Sequence, residues 1–379
     1  MIDGLDALCR IIEEHRNEAE EMARLAPAVR AAAGAAGLWV LTAPKEVGGV
    51  ELSLPEQVEL YERVGQADPT VGWHGVNSTP AGIVATRLDD SDRRLLFERT
   101  DRPFAYAGAL TAGVLATPDN DGFRLNGTWP FMTGAADAGW AVVVVMVAAE
   151  DGKPVQPPDI RRFVVPLAAL EVHDSWGGAS GMRGTGSQPV SARDVFVPGS
   201  RAVPTAAPSR VDRPLFRVGD GVLFFVPAGA IAVGILRSAV HGVIDLVSTK
   251  MSRFDGHAHY DDPRIQQTVA DAHAAATCLS AGLARVCVSY WDAVESGEVP
   301  AASVRADLWS VLFATFDVAR HHVSNLYAVG TSSTFATRNP VERALRDIHA
   351  LNAAFDSFQS LRRAAGRSLL GHEANHPRF

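Results

Sequence analysis

Apolar positions recur at helical spacing through the first hundred residues. At the amino terminus they repeat every three or four residues and a strongly charged face follows, which predicts an amphipathic helix; the apolar set is Leu5, Leu8, Ile11 and Ile12. Pro27 suits the first turn of a second helix. Ser53 with Glu56 three residues later forms a capping-box pattern, which predicts a helix over 55–67. A further helix, rich in glycine and alanine, is predicted over 71–88.

Between residues 104 and 214 the pattern changes to short apolar or alternating runs. Gly, Pro, Asp and Asn punctuate these runs, which predicts a small β-sandwich or barrel. Within it, two strands joined by a loop are predicted over 128–147, preceded by a turn at Asn126-Gly127. Pro130 cannot donate a ladder hydrogen bond, so its strand is predicted to be an edge or bulged strand. The valine-rich run 140–147 is predicted to be buried on both faces.

The rest of the chain returns to helical spacing. Four long, alanine-rich apolar segments follow a proline-rich linker and suit a tightly packed bundle; they cover 227–251, 263–295, 304–329 and 340–370. The predicted fold class is therefore α+β and mainly α. It comprises an N-terminal helical domain (1–103), a middle β-barrel or sandwich domain (104–214) and a C-terminal four-helix bundle (215–379).

Composition and charge argue against some classes of function. The chain has 379 residues, and its formal net charge of −8 argues against a nucleic-acid or anionic-membrane partner. Three cysteines form neither a disulfide framework nor a metal pair, which favours a reducing cytoplasm and predicts no metal site. No signal peptide is recognisable, and the apolar runs are judged too short to span a bilayer. We therefore expect a cytoplasmic protein.

Two stretches are candidates for contact with a planar ligand. Residues 129–137 combine aromatic and small side chains, so they form either a core aromatic pair or an aromatic wall against a planar ring. Residues 176–187 are glycine-rich, but their spacing does not match the dinucleotide-binding pattern. They form either a long hairpin loop or a loop whose amides and hydroxyls approach a ligand. The residues alone leave both alternatives open.

Several motifs together resemble the acyl-CoA dehydrogenase family. The order of helical domain, β domain and four-helix bundle is similar to that family over nearly the whole chain. The local motifs resemble its branch of two-component flavin-dependent monooxygenases, whose C-terminal domain is of the acyl-CoA dehydrogenase type 2 class. These motifs are PKEVGG (44–49), GW (72–73), LNGTWPFMTG (125–134), GMRGTGS (181–187), DVFVP (194–198), TSS (331–333), RNP (338–340) and RDIHA (346–350).

The resemblance implies a flavin cofactor, FMN or FAD, whose reduced form a separate flavin reductase would supply. The implied cofactor-binding residues are Trp129, Phe131, Met132, Thr133, Gly184, Thr185, Ser187, Ser332 and Ser333. Among them, the resemblance makes Thr133 and Ser187 hydroxyl partners of the isoalloxazine ring. The implied substrate residues are Trp73, Asn77, Ala354 and Phe355. The resemblance also implies a homotetramer, packed as a dimer of dimers.

The family's acid–base groups are absent from their aligned positions. Dehydrogenases of the family remove an α-proton with a Glu, and the aligned residue here is Phe355. Hydroxylases commonly place a His on the same helix, and the aligned residue is Ala354. Asp356 is one residue further on, about 100° around a helix, so it is predicted to point elsewhere.

Two histidines are therefore the candidate catalytic residues. His74 forms a polar cluster with Asn77 and Ser78 at helical spacing, on a helix that the family places near the substrate. His349 belongs to the RDIHA run. Each has a structural alternative, as an ordinary core or interface histidine. Of the two, His74 is the predicted acid–base group.

Two functions follow. The preferred one is a flavin-dependent oxidoreductase, a two-component monooxygenase that uses reduced flavin and O2 on a small organic substrate in a dry pocket. The alternative is an acyl-CoA dehydrogenase-like protein that acts on an acyl thioester or lacks the usual base. The missing Glu argues against ordinary dehydrogenation, and the missing His argues more weakly against hydroxylation.

Overall fold

The computed structural model describes residues 2, 4–248, 251, 258–330, 334, 338–376 and 379. Helices precede the first strand, as the apolar spacing predicted. Within the described residues they are α1 (Leu5–Met22), α2 (Pro27–Ala35), α3 (Leu54–Ala67), α4 (Pro69–Ala85) and α5 (Asp90–Leu96).

The predicted helix starts are confirmed by their caps. Pro27 occupies the first turn of α2. Ser53 and Glu56 form a capping box at the start of α3, which satisfies amides that the helix itself leaves unpaired. Asp68 accepts a hydrogen bond from the Thr70 amide and so begins α4 two residues earlier than predicted.

Residues 105–204 form one sheet. Its strands are β1 (Ala105–Ala107), β2 (Leu115–Asp119), β3 (Gly122–Met132), β4 (Trp140–Val147), β5 (Ile160–Pro166), β6 (Glu171–Val172), β7 (Gln188–Pro198) and β8 (Ala202–Pro204). The hydrogen-bonded order is β6-β7-β3-β2-β4-β5-β8, and β1 pairs with β4. The inner residues of β4 are almost all buried, as its run of valines predicted.

Strand β3 corrects one prediction and confirms another. Asn126-Gly127 is not a turn, because β3 continues through it along β7, and the register shift at this point is a bulge with the extra residue in β7. The hairpin between β2 and β3 turns at Asn120-Asp121 instead. A second register shift lies between Trp129 and Met132, so the strand that contains Pro130 is bulged, as predicted.

Five helices follow the sheet within the described residues: α6 (Asp220–Ser248), α7 (Pro263–Glu295), α8 (Ala302–Val329), α9 (Pro340–Phe355) and α10 (Gln359–Leu369). The fourth predicted segment is thus broken after Phe355. Helix α6 begins seven residues before Pro227, which lies inside the helix.

Helix α6 is long and apolar enough to cross a membrane, with a mean hydropathy of 1.9 over its most apolar window. The expectation that every apolar run is too short was therefore wrong. In the fold, 83% of that window is buried by protein, so composition alone does not indicate a membrane segment.

Helix α6 is the centre of a core that joins the amino-terminal and carboxy-terminal helices. A Cβ atom on Gly65 of α3 would lie 2.8 Å from the Cα atom of Ile231, so α3 and α6 pack almost backbone to backbone. The β domain has its own core, and a third cluster lies between the sheet and α4. Most of the predicted site residues that the structure describes lie where α4 meets the end of β3 and the loops after β3 and before β7.

Candidate active site

Side chains at the end of β3 divide between the core and the surface. Phe131 is 66% exposed, which leaves its ring free to contact a ligand. Trp129 and Met132 are fully buried among the apolar residues of the β core. The strand directs these two side chains to its inner face, so of the two residues only the backbone is open to a ligand, and their contact with a flavin stays a prediction.

A chain of hydrogen bonds connects the two candidate ligand loops. Trp73 Nε1 donates to Thr133 Oγ1 at 3.1 Å. Thr133 Oγ1 and Ser187 Oγ lie 2.9 Å apart, and Ser187 Oγ lies 2.9 Å from Thr185 Oγ1. Thr185 Oγ1 donates to the Met182 carbonyl at 2.7 Å. The sequence separated these hydroxyls by more than fifty residues, and the fold brings them together.

Helix α9 holds the second loop in place. The Met182 amide donates to Asp347 Oδ1 at 2.6 Å, and Arg346 Nη1 donates to the Ser180 carbonyl at 2.6 Å. Burial is the main cause that raises the pKa of the Asp347 carboxyl to about 7; the Met182 amide opposes the rise, and the nearby carboxylates of Asp68 and Glu20 add to it. The Arg-Asp pair therefore positions the loop that carries Thr185 and Ser187.

Gly184 is required at its position by close packing. A Cβ atom there would lie 2.6 Å from Thr70 Oγ1, which is itself hydrogen-bonded to Asp68 at 2.6 Å. The Gly184 carbonyl lies 3.1 Å from His74 Nε2. The loop is thus seated directly on the first turns of α4.

His74 is fully buried between the two loops. Its Nε2 contacts the Gly184 carbonyl, and its Nδ1 lies 3.3 Å from the position a Cβ atom of Gly134 would take. Burial lowers the pKa of His74, and the nearby Asp137 carboxylate opposes that shift. Full burial of the ring favours a role in positioning the two loops, and the acid–base role of His74 stays a prediction.

The other members of the predicted polar cluster also turn inward. The Asn77 amide donates to the Trp73 carbonyl at 2.8 Å, and Ser78 Oγ donates to the His74 carbonyl at 2.9 Å. These are hydrogen bonds to the preceding turn of α4. Asn77 therefore uses its amide nitrogen to support Trp73, and its role as a substrate residue stays a prediction.

Aromatic rings from four helices and a strand form one cluster, which we call the aromatic cluster: Trp73, Tyr106, Phe224, Phe225, Phe316 and Phe355. The Trp73 ring lies 5.6 Å from Phe224 and 5.8 Å from Phe355, in edge-to-face arrangements. Phe355 stacks on Phe316 with centroids 4.6 Å apart. Tyr106 lies 5.8 Å from Phe224. The family's glutamate position is thus occupied by the centre of an apolar wall.

The remaining residues predicted on α9 face solvent. Ala354 is exposed, and so is Asp356. His349 is exposed, with Nε2 3.5 Å from Ser324 Oγ on α8. This position places His349 away from the hydrogen-bonded loops, and its catalytic role stays a prediction. Ser332 and Ser333 lie outside the described residues.

Trp176 is a site residue that sequence reasoning missed. Its half-buried ring lies 6.1 Å from Phe131, edge to face, and its Nε1 donates to the Arg183 carbonyl at 3.0 Å. The sequence feature that could have identified it is its position, as an aromatic residue at the start of the glycine-rich loop. Tyr106 and Phe224 were missed as well, because nothing in their local sequence predicts contact with Trp73.

A separate cleft of about 650 Å³ lies away from these residues, between α5 and the linker before α6. Its charged side chains largely neutralise one another, as in the ion pair between Arg213 and Glu46 at 2.6 Å. It contains none of the predicted site residues, so size alone does not identify the site.

Both helical portions of the chain match known protein families. Residues 6–88 match the family described as "Acyl-CoA dehydrogenase, N-terminal domain" and residues 226–356 match "Acyl-CoA dehydrogenase, C-terminal domain". A pigment production hydroxylase of Rhodococcus erythropolis is 25% identical over 366 residues, which cover 92% of this chain and 91% of that protein. HsaA, the oxygenase subunit of a flavin-dependent monooxygenase from Rhodococcus jostii, is 26% identical, with 91% of each chain covered.

Solved structures share the fold. XiaF from Streptomyces sp., in complex with FADH2 and glycerol, superposes with a TM-score of 0.88 at 22% identity, covering 99% of this chain and 96% of XiaF. TdsC from Paenibacillus sp. A11-2, in complex with FMN and indole, gives a TM-score of 0.80 at 20% identity, covering 97% of this chain and 96% of TdsC.

Proposed function

The chain belongs to the acyl-CoA dehydrogenase family and is a flavin-dependent oxidoreductase, and we propose that it is the oxygenase component of a two-component monooxygenase. The predicted family is confirmed by the matches to both helical portions. The predicted enzyme class and the FMN or FAD cofactor agree with the relatives and with the ligands of the structural neighbours.

One observation carries the proposal: the hydroxyl chain lies between an exposed aromatic ring and the aromatic cluster. Thr133 and Ser187 are hydrogen-bonded to each other, and Thr133 also receives the Trp73 N–H. Phe131 lies exposed on the same strand end. A planar heterocycle with a polar edge needs an aromatic surface together with hydrogen-bonding groups at one border, and these residues supply both.

The residues present fit a flavin. Gly134 and Gly186 both have positive φ, so the two loops turn tightly beside the hydroxyls without side chains that would block a ring. Phe131 and the half-buried Trp176 would contact the ring system, and Thr133 and Ser187 its polar edge. When bound, a reduced flavin supplies the electrons that activate O2 for transfer of one oxygen atom to the substrate.

The aromatic cluster would bind the organic substrate. Its half-buried members, Trp73, Tyr106 and Phe224, line the side next to Thr133, and Phe355 closes the wall behind Trp73. Such a surface favours a small, flat, apolar substrate and excludes water from the reacting atoms. The names of the relatives and the indole bound to TdsC support an aromatic substrate for this chain too.

The dehydrogenase alternative lacks a base. Phe355 stands at the aligned position and is packed against Phe316. Asp356 is the nearest acid along the chain, and it is exposed. A carboxylate on the solvent side cannot reach an acyl chain held beside Trp73.

The proposal extends to the assembly and its partners. We propose that a separate flavin reductase supplies reduced flavin, that the chain divides into three domains at 103 and 214, and that the protein acts in the cytoplasm. We also propose a homotetramer formed through the helical bundle. Helix α7 supports this, because apolar residues such as Val288 and Cys278 lie exposed along it.

The test is anaerobic titration with reduced and oxidised FMN and FAD, together with matched glycine variants. Gly184→Ala places a methyl group against Thr70 and should weaken flavin binding by about 5- to 150-fold, because overpacking costs about 1–3 kcal/mol. Gly178→Ala is the control, because a Cβ there meets no atom within 4 Å.

Wild-type protein should bind one of the reduced flavins at micromolar concentration. With a flavin reductase and O2 it should then oxygenate a small aromatic compound, measured as product by mass spectrometry. Absence of flavin binding below millimolar concentration would refute the proposal. Equal losses in the two glycine variants would refute the location of the site.

A further inference from the structure

The hydrogen-bond chain between the two loops has two chemically different ends. Trp73 begins it with an indole N–H, which can only donate. The Met182 carbonyl ends it with an oxygen that can only accept. Between them lie Thr133, Ser187 and Thr185, each with one hydroxyl hydrogen and two lone pairs.

Counting hydrogens fixes the direction of every bond. Four bonds join the five groups, and exactly one arrangement of the four available hydrogens makes all of them. Thr185 must donate to Met182, so Ser187 must donate to Thr185 and Thr133 must donate to Ser187. Every hydroxyl hydrogen is thereby used within the protein, and each oxygen keeps one lone pair.

Because the three hydroxyls are buried, reversing the direction of these hydrogen bonds costs free energy. Thr133, Thr185 and Ser187 are all buried, and Thr185 is 1% exposed. If Ser187 turned its hydrogen towards Thr133, the 2.9 Å contact between Ser187 and Thr185 would hold two oxygens with no hydrogen between them. A lost hydrogen bond of this kind costs about 0.5–1.5 kcal/mol.

We propose that Thr185 is a positioning residue that makes Thr133 a hydrogen-bond acceptor, so that the site selects reduced over oxidised flavin. Reduced flavin carries N–H at ring nitrogen N5, whereas oxidised flavin has a bare acceptor nitrogen there. With N5 of the bound ring beside Thr133, an acceptor-only oxygen there would pair with the N–H of reduced flavin and would repel the bare nitrogen of oxidised flavin. This inference rests on the proposed flavin site and adds the origin of its redox selectivity.

The test compares the ratio of two dissociation constants, oxidised over reduced flavin, in valine variants that keep side-chain shape. Thr185→Val removes the group that takes the Ser187 hydrogen. Ser187 can then donate to Thr133, whose own hydrogen becomes free to donate to oxidised flavin. The ratio should fall on the order of fivefold, the effect of about one hydrogen bond.

The matched control is Thr128→Val. Thr128 lies on β3, the strand that ends just before Thr133. Its hydroxyl also pairs with a serine, Ser191, at 2.8 Å, but it takes no part in the hydrogen-bond chain between the two loops. The ratio of the dissociation constants for oxidised and reduced flavin should be the same in Thr128→Val as in the wild type. Thr185→Ser restores the hydroxyl and should restore the ratio, and Trp73→Phe should keep it within about twofold, because the Met182 end still sets the direction.

The outcomes separate this inference from the proposed function. A wild type that binds neither flavin refutes the proposed site itself. Flavin binding with an unchanged ratio in Thr185→Val refutes the inference and leaves the proposed function standing. If Thr185→Val does not fold, Thr133→Val replaces it: removal of the acceptor should lower the ratio by a similar factor, and an unchanged ratio again refutes the inference.

Discussion

The candidate site has two walls, one polar and one aromatic, and different kinds of contact hold them together. The polar wall consists of Thr133, Thr185 and Ser187, whose hydroxyls bond to one another and to Met182. The aromatic cluster consists of rings that contact each other at centroid distances between 4.6 and 6.1 Å. Trp73 belongs to both, because its ring packs against Phe355 while its N–H donates to Thr133.

This difference separates two tasks. Hydrogen bonds are directional, so the polar wall depends on the placement of a few atoms and can distinguish ligands by their hydrogens. Apolar packing is non-directional and scales with buried area, so the aromatic cluster contributes mainly to stability and to substrate binding. Disruption of the two walls should therefore produce different defects.

The largest effect is expected from Phe355→Ala. Phe355 is buried and stacked on Phe316, so its truncation leaves a cavity in the helical core and should lower the free energy of unfolding by about 3–5 kcal/mol. Denaturant unfolding measures this loss. The paired change is Phe131→Ala, at an exposed ring, which should leave stability within about 0.5 kcal/mol but weaken flavin binding. Equal stability losses would contradict the assignment of a stabilising role to the buried ring of the aromatic cluster and a ligand-binding role to the exposed ring.

The second effect concerns the attachment of the polar wall to α4. His74→Leu removes the bond to the Gly184 carbonyl and leaves that buried oxygen unpaired, which costs about 1–3 kcal/mol. Flavin affinity should fall by roughly tenfold, while turnover at saturating flavin stays within a few-fold. His74→Gln keeps a donor and should retain most of the affinity, and the exposed His349→Ala is the control. Loss of turnover at saturating flavin in both His74 variants would support a catalytic role.

The smallest effect is a pH dependence at the other attachment of the polar wall, Asp347. Its folded-state pKa is raised to about 7, above the unfolded value near 4. As pH rises from about 4 to 7, the unfolded chain releases the proton and the folded chain retains it, so this group's contribution to stability is lost across that window.

The measurement is the melting temperature of wild type and Asp347→Asn against pH. The asparagine cannot ionise, and its oxygen can still accept the Met182 amide. The stability of the wild type relative to the variant should therefore fall between pH 4 and 7, by on the order of 1–3 kcal/mol. Asp68, Glu20 and Arg343 face the same group and act in both proteins. A rise in that window would show that the carboxylate is favoured in the fold.

Local signals in the sequence determined much of the fold. The capping box of Ser53 and Glu56, the first-turn position of Pro27 and the buried valines of β4 were all predictable, because each depends on residues within a few positions of one another. The family motifs added the two ligand loops and the likeness to flavin-dependent oxygenases. Local signals failed at Asn126-Gly127, where pairing with β7 overrode the preference for a turn.

Only the tertiary structure decided which way the side chains of the site point. Periodicity places His74 on a helix, but the seating of Gly184 on α4 buries its ring between two loops. The same motif contains Trp129 and Phe131, and the bulge in β3 sends one into the core and leaves the other exposed. The hydroxyl chain joins residues 73, 133 and 187, and its direction depends on a donor and an acceptor at opposite ends. Such an arrangement is a property of distances in space, which a linear pattern of residue types does not contain.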